Sequence, residues 1–81
     1  MDEYILFEWA TDDEGGYGVC SADKWNPKGK NIYIGCFNNV DELAALLYED
    51  NPEFMVSPLV ATVFALDLLT SYLEMEVNDD A

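Results

Sequence analysis

Between Glu3 and Ala10 the chain alternates, with Ile5, Phe7 and Trp9 on one side of an extended backbone and Tyr4, Leu6 and Glu8 on the other. A period of two marks a strand. The polar stretch "TDDEGG" reads as a loop, a second extended run covers 17–22, and after the turn-like "NPKGK" a third covers 31–37. The pattern predicts strands at about 3–10, 17–22 and 31–37, joined as an antiparallel meander.

A register follows if Phe7 faces Cys20 and Cys20 faces Cys36, because Trp9 then lies opposite Gly18, and Ile5 opposite Ala22 and through it Ile34. The middle strand contributes only the small Gly18, Cys20 and Ala22 to that face. It leaves room for Ile5, Phe7 and Trp9 on one flank and Ile32 and Ile34 on the other. This face is expected to meet the helices, with the two thiols as cross-strand neighbours.

Beyond Phe37 the period changes. Asn39 followed three residues later by Glu42 is a capping box, and Asp41 suits the positive end of a helix, so a first helix is expected over 40–49. Asn51 and Pro52 end it, and Ser57 with Pro58 opens a second over 58–76, followed by an acidic tail at 77–81. At 100° per residue, Asp67, Thr70, Ser71 and Glu74 share one strip of the second helix, a strip that Val60 and Val63 occupy nearer its start. Its first two turns are thus apolar all round, which predicts a central, largely buried helix.

The expectation is one α+β domain over residues 1–81. With both helices on the Ile5 face, the other face presents Tyr4, Leu6, Val19, Tyr33 and Phe37, mixed with Glu8, Ser21 and Asp23, as an exposed partner surface. The alternative packing places one helix on each face.

Charge changes the picture most. Seventeen Asp and Glu stand against three Lys, giving a net charge of −14 in 81 residues. Such a chain is repelled by phosphate backbones and by anionic headgroups, which opposes direct nucleic-acid and membrane binding. The longest uncharged stretch, residues 54–66, falls short of the ~20 residues a membrane span needs. Acids at the N-terminus in place of a positive n-region point to a cytoplasmic protein, in which Cys20 and Cys36 stay reduced.

Catalytic parts are scarce. Histidine and arginine are both absent, which removes the imidazole base and the arginine clamp. "EGGYG" lacks the spacing and lysine of a phosphate loop, and "TDDEGG" lacks the alternating ligands of a calcium loop. The lysines cluster around Trp25 in "KWNPKGK", read as a solubilising turn or a small contact site. The expectation is a non-enzyme with no cofactor and no metal.

With Asp41 and Glu42 assigned to a cap and Asp79 and Asp80 to the tail, the candidate contact carboxylates are chosen from the rest as Glu8, Asp12, Asp13, Glu14, Asp23, Glu49, Asp50, Glu53, Asp67 and Glu74. Spread over the roughly 4,900 Å² expected of a folded chain this size, the charge averages about one per 350 Å². Duplex DNA carries about one per 110 Å². Only if gathered on one face does it approach that density and steer a basic partner.

In size, acidity, missing catalytic groups and compact α+β pattern, the chain resembles the small acidic inhibitors of phages and mobile elements, including anti-CRISPR and anti-restriction proteins. The resemblance implies carboxylates occupying the nucleic-acid-binding surface of a nuclease or defence complex, with exposed aromatics as anchors. The expected partner is thus a basic protein or nucleoprotein complex in the host cytoplasm. The second reading is an interaction module or homodimer that uses the outer sheet face, its acidity serving solubility or salt adaptation.

Overall fold

A computed structural model describes residues 3–80, with side chains through Glu74. Strands β1 (Tyr4–Ala10), β2 (Gly15–Ser21) and β3 (Ile32–Phe37) form one antiparallel sheet, followed by helices α1 (Val40–Asp50), α2 (Pro52–Met55) and α3 (Pro58–Asp80). The class is α+β. β2 starts two residues earlier than the alternation predicted, because Thr11 closes a tight loop: its N–H donates to Glu14 O at 2.7 Å and its Oγ1 accepts from Glu14 N at 3.1 Å. Gly15 and Gly16 then pair directly with Ala10 and Trp9. The expected tail over 77–81 continues the α3 backbone as far as Asp80; its side chains and Ala81 lie outside the described residues.

The strand order is β2-β1-β3, so the sheet is not the expected meander and β1 lies in its middle. Ser21 pairs with Tyr4 at one end of β1 and Ile32 with Glu8 near the other, so residues 22–31 must travel the length of the sheet. They do so through a single 3₁₀ turn, Ala22–Lys24, and a turn in which Gly29 N donates to Asn26 O at 3.0 Å. "NPKGK" therefore belongs to a crossover and not to a hairpin. Trp25 lies between Phe7 and Tyr33, with ring centroids 5.6 and 5.9 Å away. Cys20 and Cys36 both pair with Ile5, from opposite sides, and are free thiols. Two strand spacings, roughly 10 Å, separate them, beyond what a disulfide spans.

The helices cover the opposite face from the one expected. Leu6 and Phe37 are 0% and 1% exposed and pack with Leu43, Leu47, Met55, Ala61 and Ala65, while Tyr4 and Val19 lean on the same cluster. Four of the five proposed surface residues thus belong to the core, and only Tyr33, 51% exposed, remains outside. The β1–β3 register shifts between Leu6 and Phe7, so Gly35 stands opposite Leu6 and Ile34 is the extra residue of a bulge. A Cβ on Gly35 would lie 2.7 Å from Leu46 Cδ2, so the glycine is what admits α1 to the sheet.

On the outer face, glycines in β2 serve the aromatics. A Cβ on Gly18 would fall 2.6 Å from Phe7 Cζ, and one on Gly16 3.1 Å from Trp9 Cζ2. The rings lie over bare backbone, covering glycine with aromatic surface. The space read as room for a buried core is used on the surface.

Local caps match the sequence. Asn39 Oδ1 accepts from Glu42 N at 2.9 Å while Glu42 Oε1 accepts from Asn38 N at 2.7 Å, and Ser57 Oγ accepts from Val60 N at 3.3 Å. Asn51 caps the short α2, accepting from Phe54 N at 3.4 Å. α2 ends at Val56, which holds the left-handed conformation at φ 55°. α3, however, is neither central nor enclosed. Among its described side chains only Ala61 and Ala65 are fully buried, and Leu59, Val63 and Leu66 are 73%, 60% and 51% exposed. Two alanines one turn apart make a narrow seam against the core, so the apolar side chains opposite them reach solvent.

Candidate partner-binding surface

Seven of the ten candidate carboxylates converge on the hairpin end of the sheet. Glu8 lies near the end of β1, and Asp12, Asp13 and Glu14 form the loop to β2. The decisive link is longer in range: Tyr17 Oη donates to Asp50 Oδ2 at 2.6 Å, tying β2 to the last residue of α1. Glu49 precedes Asp50, and Glu53 follows on α2. A cleft of about 460 Å³ between the two halves is lined by Glu8, Trp9, Tyr17, Asn51, Phe54 and Phe64. All seven acids are exposed.

The other three are placed elsewhere. Asp23 sits on the 3₁₀ turn after Ser21, at the Tyr4 end of the sheet. Asp67 and Glu74 are exposed on α3.

Tyr17 carries the electrostatic signature of this end. Its pKa is pushed up from 10.0 to about 12, first by burial, then by the hydrogen bond to Asp50 and the charges of Asp50 and Glu8, with Asn51 pulling the other way. The phenol therefore stays a neutral donor at ordinary pH, holding a carboxylate in place without neutralising it.

Beside the acidic end lies an apolar surface that the sequence reading missed. Phe54 is exposed and meets Phe64 edge-on at 6.1 Å, and Phe64 meets Tyr17 edge-on at 6.0 Å. From there Val56 at the end of α2, then Leu59, Val60, Val63 and Leu66 along α3, are all exposed. The signal was present in Ala61 and Ala65: small residues four apart mark the packed seam, which puts Val63, about 200° from each, on the far side.

A second groove, about 490 Å³, runs along the free edge of β2 toward α3, lined among others by Phe7, Trp9, Gly18, Cys20, Leu68 and Tyr72. Burial pushes the Cys20 thiol up, away from the reactive thiolate. On the outer face Tyr33 is likewise raised, by desolvation and then by its hydrogen bond and charge interaction with Cys36. Among the described residues no three His, Cys, Asp or Glu come together as metal ligands, and no helix is long and apolar enough to cross a membrane. Comparison with known proteins returns no matching family model, no matching curated protein and no matching solved structure, so the functional reading rests on the residues themselves.

Proposed function

We propose that this chain is a non-enzymatic binding protein whose acidic end occupies a basic, nucleic-acid-binding surface on a nuclease or a nucleic-acid-guided defence complex. The observation that supports the reading is the Tyr17–Asp50 hydrogen bond, which brings the carboxylates of the β1–β2 hairpin and of the α1–α2 corner to the same end of the molecule. Exposed carboxylates on a preorganised frame attract a cationic surface over a range of about a Debye length and dock against it without first having to order a loop. Phe54, exposed at the margin of the same cleft, supplies an apolar anchor of the kind that carries binding energy at such contacts.

The test is affinity capture on the immobilised chain from host cells, followed by titration of the captured basic proteins from about 0.05 M to about 0.5 M salt. Affinity is expected to fall steeply with salt, to fall again for Glu49→Lys with Asp50→Lys, and to be competed by duplex DNA. Binding indifferent to salt and to charge reversal overturns the electrostatic mechanism.

A further inference from the structure

We propose that the free edge of β2 takes an extended segment of a cationic partner protein as a fourth strand of the sheet. The bonds of the hairpin fix which groups are on offer. Thr11 N donates to Glu14 O at one end and Ala22 N to Glu3 O at the other, and bonded pairs alternate in an antiparallel ladder, so Trp9 with Gly16, Phe7 with Gly18 and Ile5 with Cys20 exchange the bonds. The N–H groups of Tyr17, Val19 and Ser21 therefore point away from β1, at a repeat of about 7 Å. An extended polypeptide is the ligand whose own alternating N–H and C=O groups match that repeat.

The groove along this edge has a wall on each face of the sheet. Phe7, Trp9 and Cys20 line it on the outer side and Tyr17, Leu68 and Tyr72 on the side of α3, with the β2 backbone between them. Successive side chains of an added strand alternate between faces, so each wall receives every second one. Tyr17 O already accepts from Trp9 Nε1 at 3.2 Å and keeps a second lone pair for the added strand.

Charge decides between a partner and a second copy. In a chain with seventeen acids, β2 has no charged residue and no proline, and its register with β1 runs without a bulge, so the usual devices that keep an edge from pairing are missing from it. Its Gly15 end continues from Asp12, Asp13 and Glu14 and lies beside Glu8, while at its Ser21 end Asp23 and Lys24 offset each other. Two copies of net charge −14 repel, whereas a strand with Lys or Arg at the Gly15 end is attracted. The inference rests on the acidic-end reading for the charge of the partner, and it names the part of that partner that is held.

A random peptide library displayed on phage and selected on the immobilised chain supplies the probe. Selected peptides are expected to alternate apolar side chains and to carry Lys or Arg toward one end. Methylating alternate backbone nitrogens of a selected peptide should weaken binding by about tenfold or more, and methylating the intervening ones should do little, because only every second N–H faces β2. On the protein, Ser21 holds φ −65°, which proline adopts, and its N–H lies outside the β1 ladder, so Ser21→Pro should keep the circular dichroism of the parent and weaken binding by about tenfold. Asp12→Lys with Asp13→Lys is expected to weaken it as well. Loss of affinity on Ser21→Pro alone would keep the fourth strand and remove the acidic-end reading. No enrichment of peptides, equal tolerance of methylation at every position, or a dimer of the chain that Ser21→Pro dissolves in sedimentation equilibrium overturns the proposal.

Discussion

The Tyr17 hydroxyl reaches Asp50 across 33 positions of sequence at 2.6 Å, and this contact joins the edge of the sheet to the corner between α1 and α2. It is a charge-assisted bond with a partly solvated donor, so Tyr17→Phe is expected to cost about 1 kcal/mol near neutral pH. The raised pKa sets the pH dependence. The folded chain holds the phenolic proton more tightly than the unfolded one, so the contribution is complete below pH 10 and is lost as pH rises from 10 through about 12. Thermal unfolding in that window should show a falling midpoint for the parent chain and a flatter profile for Tyr17→Phe. Identical profiles would mean that the bond does not form in solution.

Gly35 and Gly18 both lack space for a methyl group, but for different neighbours. At Gly35 the added Cβ meets Leu46 Cδ2 at 2.7 Å on the buried face, whereas at Gly18 it meets Phe7 Cζ at 2.6 Å on the outer face. Leu46 is hemmed in by the core and Phe7 has a route outward. Gly35→Ala is therefore expected to cost about 1–3 kcal/mol in urea unfolding, and Gly18→Ala under about 1 kcal/mol. Trimming the neighbour in Gly35→Ala with Leu46→Ala should be measurably non-additive, since the two side chains compete for the same volume.

What the sequence disclosed and what it hid follow a division between local and distant interactions. Asn39 with Glu42 and Ser57 with Pro58 were readable because each cap closes within a few residues, whereas Asn51 and Pro52, read only as the end of the first helix, also open the unexpected four-residue α2. The strand order was not, since nothing local distinguishes a crossover of ten residues from a long hairpin loop. Nor was the buried face: Ile5, Phe7 and Trp9 are as apolar as Tyr4, Leu6 and Val19, and the choice between them is made by the Ile34–Gly35 bulge and by Phe7 and Trp9 lying over glycines. In α3, hydrophobicity on every side suggested enclosure, while the Ala61 and Ala65 seam carried the orientation. The acidity was visible as composition. Its concentration at one end depends on the contact between Tyr17 and Asp50, which no spacing announces.

The assignment of faces makes a sharp comparison of truncations. Leu6 is fully buried among Phe37, Leu43 and Leu47, so Leu6→Ala is expected to cost about 2–5 kcal/mol. Leu59 is 73% exposed, so Leu59→Ala should change the stability of the dilute chain by less than about 0.5 kcal/mol. The opposite ranking in chemical unfolding would restore the face on which Ile5 and Trp9 meet the helices.

Val56 offers a case where removing a side chain should help the fold. A left-handed conformation costs a residue with a Cβ about 1–2 kcal/mol, and glycine gives back about 0.5–1 kcal/mol of that through the greater freedom of its unfolded chain. Val56→Gly is therefore expected to stabilise the monomer by about 0.5 kcal/mol, a rise of a few degrees in midpoint. Valine at this position thus lowers the stability of the isolated chain, and its exposed side chain is the one thing glycine lacks. Thermal unfolding of the dilute chain checks this, with Val56→Ala, which keeps a Cβ and so its left-handed penalty, expected to gain less than Val56→Gly. A midpoint for Val56→Gly at or below that of the parent would mean that the left-handed position costs valine nothing at the end of α2.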